Sequence, residues 1–290
     1  MDADRSHLEI NSTLFHERFP SRHFRIAHRL IDHPLFTMER LLRLAHSLPR
    51  QVVEFYSGQA AVSQDPKATP VTGLSLKETL RNIHVADSWV ALKYIELDPD
   101  YRALLLECVE ELRAHSERIL PGTHQPEAYI FISSASSITP YHFDDEHNFL
   151  LQIRGCKHVH TWMPDRAAIT HIDLERYYMG GHRNIPLRDE IAPLAETFAL
   201  EPGQGLHIPV HSPHWVKNGD QVSVSFSVTF RSAPLAREAS IHWLNGKLRG
   251  LGLSPRPPGK AIILGDTAKA WTARTARKVA RQLRRIGVLR

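Results

Sequence analysis

Three side chains in this sequence have the types and the spacing of a mononuclear iron site. His142 and Asp144 lie two residues apart, and His214 follows Asp144 by seventy residues. Side chains two apart in a β-strand point to the same face, so His142 and Asp144 can reach one metal ion. Two histidines and one carboxylate leave coordination positions open, and non-haem Fe(II) oxygenases use these for a co-substrate and dioxygen. We therefore predict that these residues bind Fe(II), with His214 supplied by another strand.

Two parts of this ligand set have rivals in the sequence. The tripeptide His171-Ile-Asp173 repeats the spacing, but no matching histidine follows it, and its surroundings predict a connecting loop or a short helix. His211 lies three residues before His214 and is a rival for the third ligand. We favour His214 because Trp215 and the valine after it continue the chain as a strand would.

A lysine, Lys157, follows the metal motif in a predicted hairpin. Two apolar-rich runs between Asn148 and Trp162 are joined by Arg154-Gly155, which is typical of a turn. An ammonium group near the metal can pair with a carboxylate of a dicarboxylate co-substrate. The alternative is a solvated lysine, since most lysines are exposed. We favour the co-substrate role because Lys157 follows an iron-type motif and lies in an apolar strand.

A longer pattern surrounds these residues. It consists of Thr139, Pro140, His142, Asp144, Asn148, Gly155, Lys157, Gly205, Leu206, Ile208, Pro209 and His214. Over Tyr129–Asp165 and Glu201–Phe230 this pattern resembles the Jumonji-C, or cupin-like, branch of the 2-oxoglutarate oxygenases, and especially the asparaginyl hydroxylase that acts on hypoxia-inducible factor. Lys157 lies 13 residues after Asp144, as in the resembled hydroxylase.

The resemblance implies a fold, a ligand set and a co-substrate. The fold would be mainly β, a double-stranded β-helix (jelly-roll or cupin) barrel with helical extensions at both ends. The three motif residues would bind Fe(II), with 2-oxoglutarate and O2 in the remaining positions. Lys157 and Thr139 would hold the distal carboxylate of 2-oxoglutarate, and Asn148 and Tyr129 are further candidates for the co-substrate pocket.

The sequence departs from the resembled pattern in three places. Gly203-Gln204-Gly205 replaces the frequent Gly-Asp, and Ser212-Pro213 replaces an aromatic pair before the last histidine. Ser227-Val-Thr229 stands where the resembled hydroxylase has an asparagine on its final strand. Of the two rival histidines, only His214 keeps the spacing from the Ile-Pro pair.

The function predicted from these residues is hydroxylation. An Fe(II)- and 2-oxoglutarate-dependent dioxygenase would oxidise a C–H bond of an amino-acid side chain in a protein or peptide, with release of succinate and CO2. Three alternatives stay open: hydroxylation of a free small metabolite, a non-catalytic cupin-like binding or regulatory module, and a cupin that uses its metal without 2-oxoglutarate. The complete ligand set argues against the non-catalytic module. Phosphate loops, nucleophile elbows and zinc-protease motifs are absent from the sequence, which disfavours hydrolases and nucleotide-dependent enzymes.

Length and composition fit one enzyme domain with extensions. The chain has 290 residues and is 42% hydrophobic. We divide it into an α/β buttress (1–125), a JmjC/cupin-like catalytic core (126–232) and a C-terminal helical region with a basic tail (233–290). We expect no signal peptide and no membrane span. Cys108 and Cys156 offer no disulfide framework, and we predict a reducing, cytoplasmic location.

Outside the motif, the sequence predicts the elements that flank the barrel. Apolar residues at helical spacing predict helices over Phe36–Ser47 and Asp98–Ile119, and a β-like run covers Trp89–Leu97. The polar stretch Ser57–Thr72 predicts a loop, either a connector or a lid over the substrate. A polar insertion over 165–195 could contribute to substrate binding.

The end of the chain is a basic predicted helix. Residues 260–290 contain nine Lys and Arg against Asp266 alone, so they carry +8, while the rest of the chain carries −3. Such a helix can attract nucleic acid, an acidic protein or an anionic membrane. We favour packing on its own barrel or a homodimer through the C-terminal helices, because no nucleic-acid motif accompanies it. The packing stripe would comprise Ala268, Trp271, Val279, Leu283 and Ile286.

Overall fold

The computed structural model describes residues 6–165, 167–260 and 263–285, the side chains of 263–264 and 279–285 excepted. The strands are β1 (Leu8–Glu9), β2 (Phe24–His28), β3 (Val53–Ser57), β4 (Ser88–Lys93), β5 (His124–Ser133), β6 (Ile138–His142), β7 (His147–Arg154), β8 (Lys157–Thr161), β9 (Glu196–Leu200), β10 (Gln204–Ile208), β11 (His214–Asn218) and β12 (Ser223–Arg231). The α-helices are α1 (Ser12–Arg18), α2 (Met38–Ser47), α3 (Leu76–Arg81), α4 (Pro99–Ser116), α5 (His171–Tyr178), α6 (Ala233–Gly250) and α7 (Ile263–Arg285).

The chain forms two compact units. The first comprises the described residues up to Ala168 together with Asn184–Arg231. The second comprises Ile169–Arg183 and the described residues from Ser232 onward.

The first unit is built on two antiparallel sheets. The large sheet has the order β1-β2-β10-β7-β12-β5-β4-β3, and the small sheet has the order β6-β11-β8-β9. Strands β5 to β12 therefore divide equally between the two sheets, with four strands in each. This is the double-stranded β-helix that the sequence predicts, and that prediction is confirmed. Strands β1 to β4 extend the large sheet at its two edges.

Alternation along β12 shows how the large sheet separates two cores. The apolar even-numbered residues from Val224 to Phe230 lie in the large core with Phe15 of α1 and Leu104 of α4. The odd-numbered residues, such as Ser227, point to the opposite face of the sheet and are also buried. Because both faces are covered, the strand has hydroxyl side chains where a surface strand would have charged ones. A smaller interior core consists of Leu150, Val159, Leu200, Leu206, Ile208 and Val216.

The predicted hairpin between the two apolar runs after Asp144 is wrong. Strand β7 pairs with β10 and β12, whereas β8 pairs with β11 and β9 in the other sheet. The turn at Gly155 carries the chain from one sheet to the other. Gly155 has a φ of +66°, and a Cβ there would lie 2.4 Å from the carbonyl oxygen of Val222, so only glycine fits.

The start of the polar stretch after β3 is fixed beside the metal motif. The backbone N–H of Ile138 donates to the carbonyl of Gly58 over 2.9 Å, and that of Tyr141 donates to Val62 over 2.8 Å. Residues 58–62 therefore run along β6, the strand that ends at His142. This part of the stretch braces β6, which favours the connector over a free lid.

The second unit contains α5, α6 and α7. Glu175 of α5 is buried and accepts hydrogen bonds from Arg249 of α6 over 2.7 and 3.2 Å. Two residues of the predicted stripe of α7 do not pack within the chain: Ala268 is exposed and Trp271 is 70% exposed, whereas Ala270 and Ala273 are buried. The side chains of Val279 and Leu283, and Ile286, lie outside the described residues.

One membrane-related expectation can be tested on these helices. None of the described helices is both long and apolar enough to cross a membrane.

Candidate metal centre

The two predicted histidine ligands lie on paired strands at one end of the small sheet. His142 is the last residue of β6 and His214 is the first residue of β11, and the two are direct cross-strand partners. Asp144 follows β6 by two residues. A cross-strand pair brings its Cβ atoms to within about 5.5 Å, so strand pairing alone places the two imidazoles side by side.

The three side chains converge on one point. Their ligand atoms all lie within 4.8 Å of one another. Nε2 of His142 is 3.9 Å from Asp144 Oδ1, and Nε2 of His214 is 3.7 Å from Asp144 Oδ2. Metal–ligand bonds to histidine and carboxylate are about 2.1 Å, so each of these histidine–carboxylate pairs, 3.7 to 3.9 Å apart, can share one ion. Two histidines and one carboxylate form the donor set of a non-haem Fe(II) site.

Backbone carbonyls orient both imidazoles for metal binding. Nδ1 of His142 is 2.7 Å from the carbonyl oxygen of Pro140, and Nδ1 of His214 is 3.0 Å from that of Ser212. A carbonyl only accepts, so each Nδ1 carries the proton and each Nε2 presents its lone pair to the site. The local chain geometry thus fixes the tautomer that a metal requires.

Asn148 contacts the carboxylate ligand directly. Its amide nitrogen donates to Oδ2 of Asp144 over 3.1 Å, and its amide oxygen accepts from the hydroxyl of Ser227 over 2.7 Å. All three residues are buried. Ser227 occupies the position where the sequence departed from the resembled hydroxylase. Its hydroxyl holds Asn148, which in turn holds the carboxylate of Asp144.

The rival histidines have other positions. His211 has a φ of +61°, and its backbone N–H donates to the carbonyl of Asp144 over 2.8 Å. It braces the loop that carries Asp144. In α5, the carboxylate of Asp173 forms a capping box with Thr170. Among the described residues, the group able to hold a metal consists of the three predicted ligands, without His171 or His211.

Lys157 is a buried cation inside the barrel. Lys157 is only 4% exposed, so the alternative interpretation, a solvated lysine, is wrong. No carboxylate in the described part of the chain lies within ion-pair distance of its ammonium group. Burial lowers the pKa of Lys157 to about 7. A buried ammonium without a counter-ion is costly, and an anionic ligand would relieve that cost.

The two other predicted co-substrate residues differ in their surroundings. Thr139 lies opposite Val216, which lies opposite Val159, so Thr139 is on the interior face that also carries Lys157. Tyr129 donates its hydroxyl to the carboxylate of Glu127 over 2.8 Å. Burial and the neighbouring carboxylates raise the pKa of Tyr129, so the phenol stays a neutral donor.

Asn218 is a site residue that the sequence analysis did not single out. It lies directly opposite Lys157 on β11 and is buried. Its amide nitrogen donates to the carbonyl of Ser137 over 3.1 Å, while its amide oxygen is without a hydrogen-bond partner among the described residues. The sequence did contain a signal for Asn218: His214, Val216 and Asn218 are spaced two apart, so their side chains point to the same face of the strand.

Arg231 is a second residue that the sequence analysis missed. Its guanidinium lies 3.2 Å from Glu127, 3.2 Å from Asp145 and 3.3 Å from Glu146. Although burial opposes its charge, these carboxylates raise the pKa of Arg231 above its usual value. The last strand of the barrel is thereby tied to the two residues that follow Asp144.

Comparison with known proteins places this site in a known fold. Residues 109–237 match the JmjC domain family. A curated relative, the HSPB1-associated protein 1 homolog of Danio rerio, is 30% identical over 116 residues that cover 36% of this chain and 26% of the relative. The chain therefore spans about a quarter of the length of that relative.

Solved structures agree with the family match. The X-ray structure of Escherichia coli ycfD is 17% identical, covers 93% of this chain and 68% of that chain, and has a TM-score of 0.55. A structure titled YcfD, a ribosomal oxygenase from Escherichia coli in complex with cobalt and 2-oxoglutarate, is 18% identical, covers 93% of this chain and 67% of that chain, and has a TM-score of 0.50.

The comparisons confirm a JmjC cupin fold. The structure itself places the His-Asp-His group at the end of the small sheet. The finer resemblance to the asparaginyl hydroxylase is not confirmed.

Proposed function

We propose that this protein is an Fe(II)- and 2-oxoglutarate-dependent oxygenase that hydroxylates a C–H bond of an amino-acid side chain in a protein or peptide. The observation that carries the proposal is the buried Lys157, which has no carboxylate partner in the described part of the chain and lies on the interior face of the barrel whose end holds the His-Asp-His group. A metal alone needs no such cation. A dicarboxylate co-substrate does, because one end binds the metal and the other requires a counter-charge.

Bound Fe(II) would supply the oxidation: 2-oxoglutarate, O2 and the substrate C–H give succinate, CO2 and the C–OH product. The chain's own residues have simpler tasks. His142 and His214 present unprotonated Nε2 atoms because carbonyls hold their Nδ1 protons. Asn148 keeps the Asp144 carboxylate in place through its amide N–H.

Lys157 and Thr139 would hold the distal carboxylate of the co-substrate. The ammonium donates charge-assisted hydrogen bonds, and the threonine hydroxyl on the same interior face donates another. The interior core around Val159 and Val216 is apolar and keeps water from this carboxylate. In such surroundings an ion pair is stronger than it is in water.

A protein or peptide substrate is the finer part of the proposal. The E. coli structure titled a ribosomal oxygenase, which shares this fold, supports a protein substrate rather than a free metabolite. The cytoplasmic location stays a prediction. Neither a homodimer through the C-terminal helices nor nucleic-acid binding belongs to the proposal, because no comparison supports either one.

Uncoupled turnover tests the activity without a known substrate. Purified protein is supplied with Fe(II), ascorbate and 2-oxoglutarate under air, and succinate is measured by NMR. We expect succinate from the wild type, none above background from His142→Ala, and wild-type amounts from His158→Ala, whose side chain is exposed on the outer face of β8. If 2-oxoglutarate neither binds nor turns over in the wild type, the non-catalytic module becomes the better explanation.

A further inference from the structure

A buried histidine outside the ligand set, His23, lies next to the strand that supplies His214. It precedes β2, and its side chain is 1% exposed. Its Nε2 atom is 2.8 Å from the hydroxyl oxygen of Ser212 and 2.9 Å from that of Thr161. Ser212 lies two residues before His214, and Thr161 is the direct cross-strand partner of His214. His23 thus contacts the chain on two sides of one metal ligand.

The hydrogen-bond directions around His23 follow from the two hydroxyls. Ser212 donates its hydroxyl proton to the carbonyl of Trp162, and Thr161 donates to the carbonyl of Pro213 over 3.2 Å. A hydroxyl has one proton, so both oxygens are left to accept from His23. The imidazole therefore carries its proton on Nε2 and shares it between the two hydroxyls. Burial, and then the charge of His214, lower the pKa of His23 to about 4, which keeps this neutral tautomer.

The contacts lead from His23 to the metal ligand in two steps. The carbonyl of Ser212 accepts the Nδ1 proton of His214 over 3.0 Å and so sets the ring's orientation. His23 holds the hydroxyl of the same Ser212. Rotation or withdrawal of this residue would move the carbonyl and turn the imidazole away from Asp144. Hydrogen bonds that orient metal ligands typically change metal affinity by about 10- to 100-fold when they are removed.

We propose that His23 is a positioning residue for the metal centre: its Nε2–H holds Ser212 and Thr161 so that His214 points at the metal. The proposal rests on the metal-binding part of the proposed function and does not require turnover. The other ring nitrogen, Nδ1, forms no hydrogen bond with the carboxylate of Glu196, because the two lie 3.8 Å apart. The hydrogen bonds of the ring are thus those to Ser212, which precedes β11, and to Thr161 on β8, opposite His214.

Co(II) affinity of the metal-free protein tests this role. Co(II) is titrated into wild type, His23→Ala and His23→Gln, and the Kd is read by calorimetry and by the visible absorption of the bound ion. The amide nitrogen of glutamine lies close to where Nε2 of histidine lies and has two N–H donors. We expect His23→Ala to weaken Co(II) binding by about tenfold or more and His23→Gln to restore most of the affinity.

A matched control separates positioning from stability. His28, also buried on the neighbouring strand β2, uses Nε2 to reach the carbonyl of Gln152 over 2.9 Å, away from the ligands. His28→Ala should lower the melting temperature of the metal-free protein and leave the Kd for Co(II) unchanged. If His23→Ala shows the same pattern, His23 has only a structural role and the proposal is overturned.

A second variant keeps the test decisive if His23→Ala does not fold. Ser212→Ala removes the hydroxyl and keeps the carbonyl, so it should weaken Co(II) binding by a similar factor. Wild-type affinity in Ser212→Ala would overturn the two-step connection. Absence of Co(II) binding in the wild type would instead overturn the metal site itself.

Discussion

Lys157 and Asn218 lie directly opposite each other on β8 and β11, inside the barrel. The ammonium of Lys157 has no carboxylate partner, and the amide oxygen of Asn218 has no hydrogen-bond partner, within the described ranges. Protein interiors rarely leave two adjacent polar groups unsatisfied. We therefore expect a polar ligand to complete this pair, which lies on the same two strands as His214 and its partner Thr161.

The first prediction concerns co-substrate affinity. Lys157→Ala should weaken 2-oxoglutarate binding by about 30-fold or more, because removing one partner of a buried charge pair costs about 2–5 kcal/mol. Lys217→Ala is the matched control, since Lys217 lies on β11 beside Asn218 and is exposed. Calorimetry with Mn(II) in place of Fe(II) measures both Kd values. Equal affinity in Lys157→Ala and wild type would contradict the co-substrate role.

The second prediction concerns pH. In the free protein the pKa of Lys157 is about 7, and a bound carboxylate would raise it. Binding above pH 7 must then take up a proton, so affinity for 2-oxoglutarate should be highest below about pH 7 and fall as the pH rises, by up to about tenfold per unit. Calorimetry at pH 6.5, 7.5 and 8.5 in buffers of different ionisation enthalpy shows the proton uptake. Lys157→Ala should lose this pH dependence. Affinity that does not change with pH in the wild type would argue against an ion pair between Lys157 and the co-substrate.

The third prediction uses Asn218. Asn218→Asp places a carboxylate opposite the unpaired ammonium of Lys157. This internal counter-ion should compete with the co-substrate, so 2-oxoglutarate affinity should fall by about tenfold or more, a loss of about 1.4 kcal/mol. Metal affinity should stay near the wild-type value, because Asn218 lies four residues along β11 from His214. Parallel titrations with 2-oxoglutarate and with Mn(II) separate the two effects. Unchanged 2-oxoglutarate binding would show that Asn218 does not face the co-substrate.

The fourth prediction concerns the support of Asp144. Asn148→Ala removes the N–H that holds the carboxylate and leaves the hydroxyl of Ser227 without its acceptor. Metal affinity should fall by about tenfold, as is typical for partners of ligating carboxylates. His171→Ala, in the rival tripeptide, should retain the wild-type Kd for Co(II). A loss of binding in His171→Ala, or none in Asn148→Ala, would contradict the assignment of the site.

The fifth prediction concerns acid stability. Burial, and then the charge of His211, lower the pKa of His147 to about 3, and His207 is shifted in the same direction by burial. Unfolded histidines titrate near pH 6.5, so the unfolded state binds more protons below that pH and the folded state loses stability as the pH falls. For His147 alone, lowering the pH from 6.5 to 5 should cost about 2 kcal/mol.

Urea unfolding at pH 7 and at pH 5 tests this loss. The ring of His147 packs against Phe230 at 5.4 Å between ring centroids, so His147→Phe keeps the aromatic packing and removes the titrating group. We expect the variant to lose less stability between the two pH values than the wild type. An equal loss in both proteins would place the acid sensitivity elsewhere.

The sequence by itself determined the features that depend on short spacing. The close spacing of His142 and Asp144 predicted that they would lie at one centre, although Asp144 lies beyond the end of β6 and is therefore placed by the loop and not by the strand period. The period of two did give Lys157 an inward position once its strand was recognised. Apolar residues at helical spacing likewise predicted α4, which begins after Asp98 with Pro99 as its first residue. The barrel followed from the motif's resemblance to a family, and the two sheets agree with it.

Only the tertiary structure decided the features that depend on which strands become neighbours. The predicted hairpin was wrong because β7 and β8 pair in different sheets, a choice made by long-range contacts rather than by the turn. Asn218 meets Lys157 across a strand pair, and His23 meets Thr161 although 138 residues separate them. On α7, helical spacing predicted an apolar stripe, but alanines permit the closer approach of another helix, and Trp271 faces solvent. Local sequence fixes the direction of a side chain within its element, and folding determines what that side chain meets.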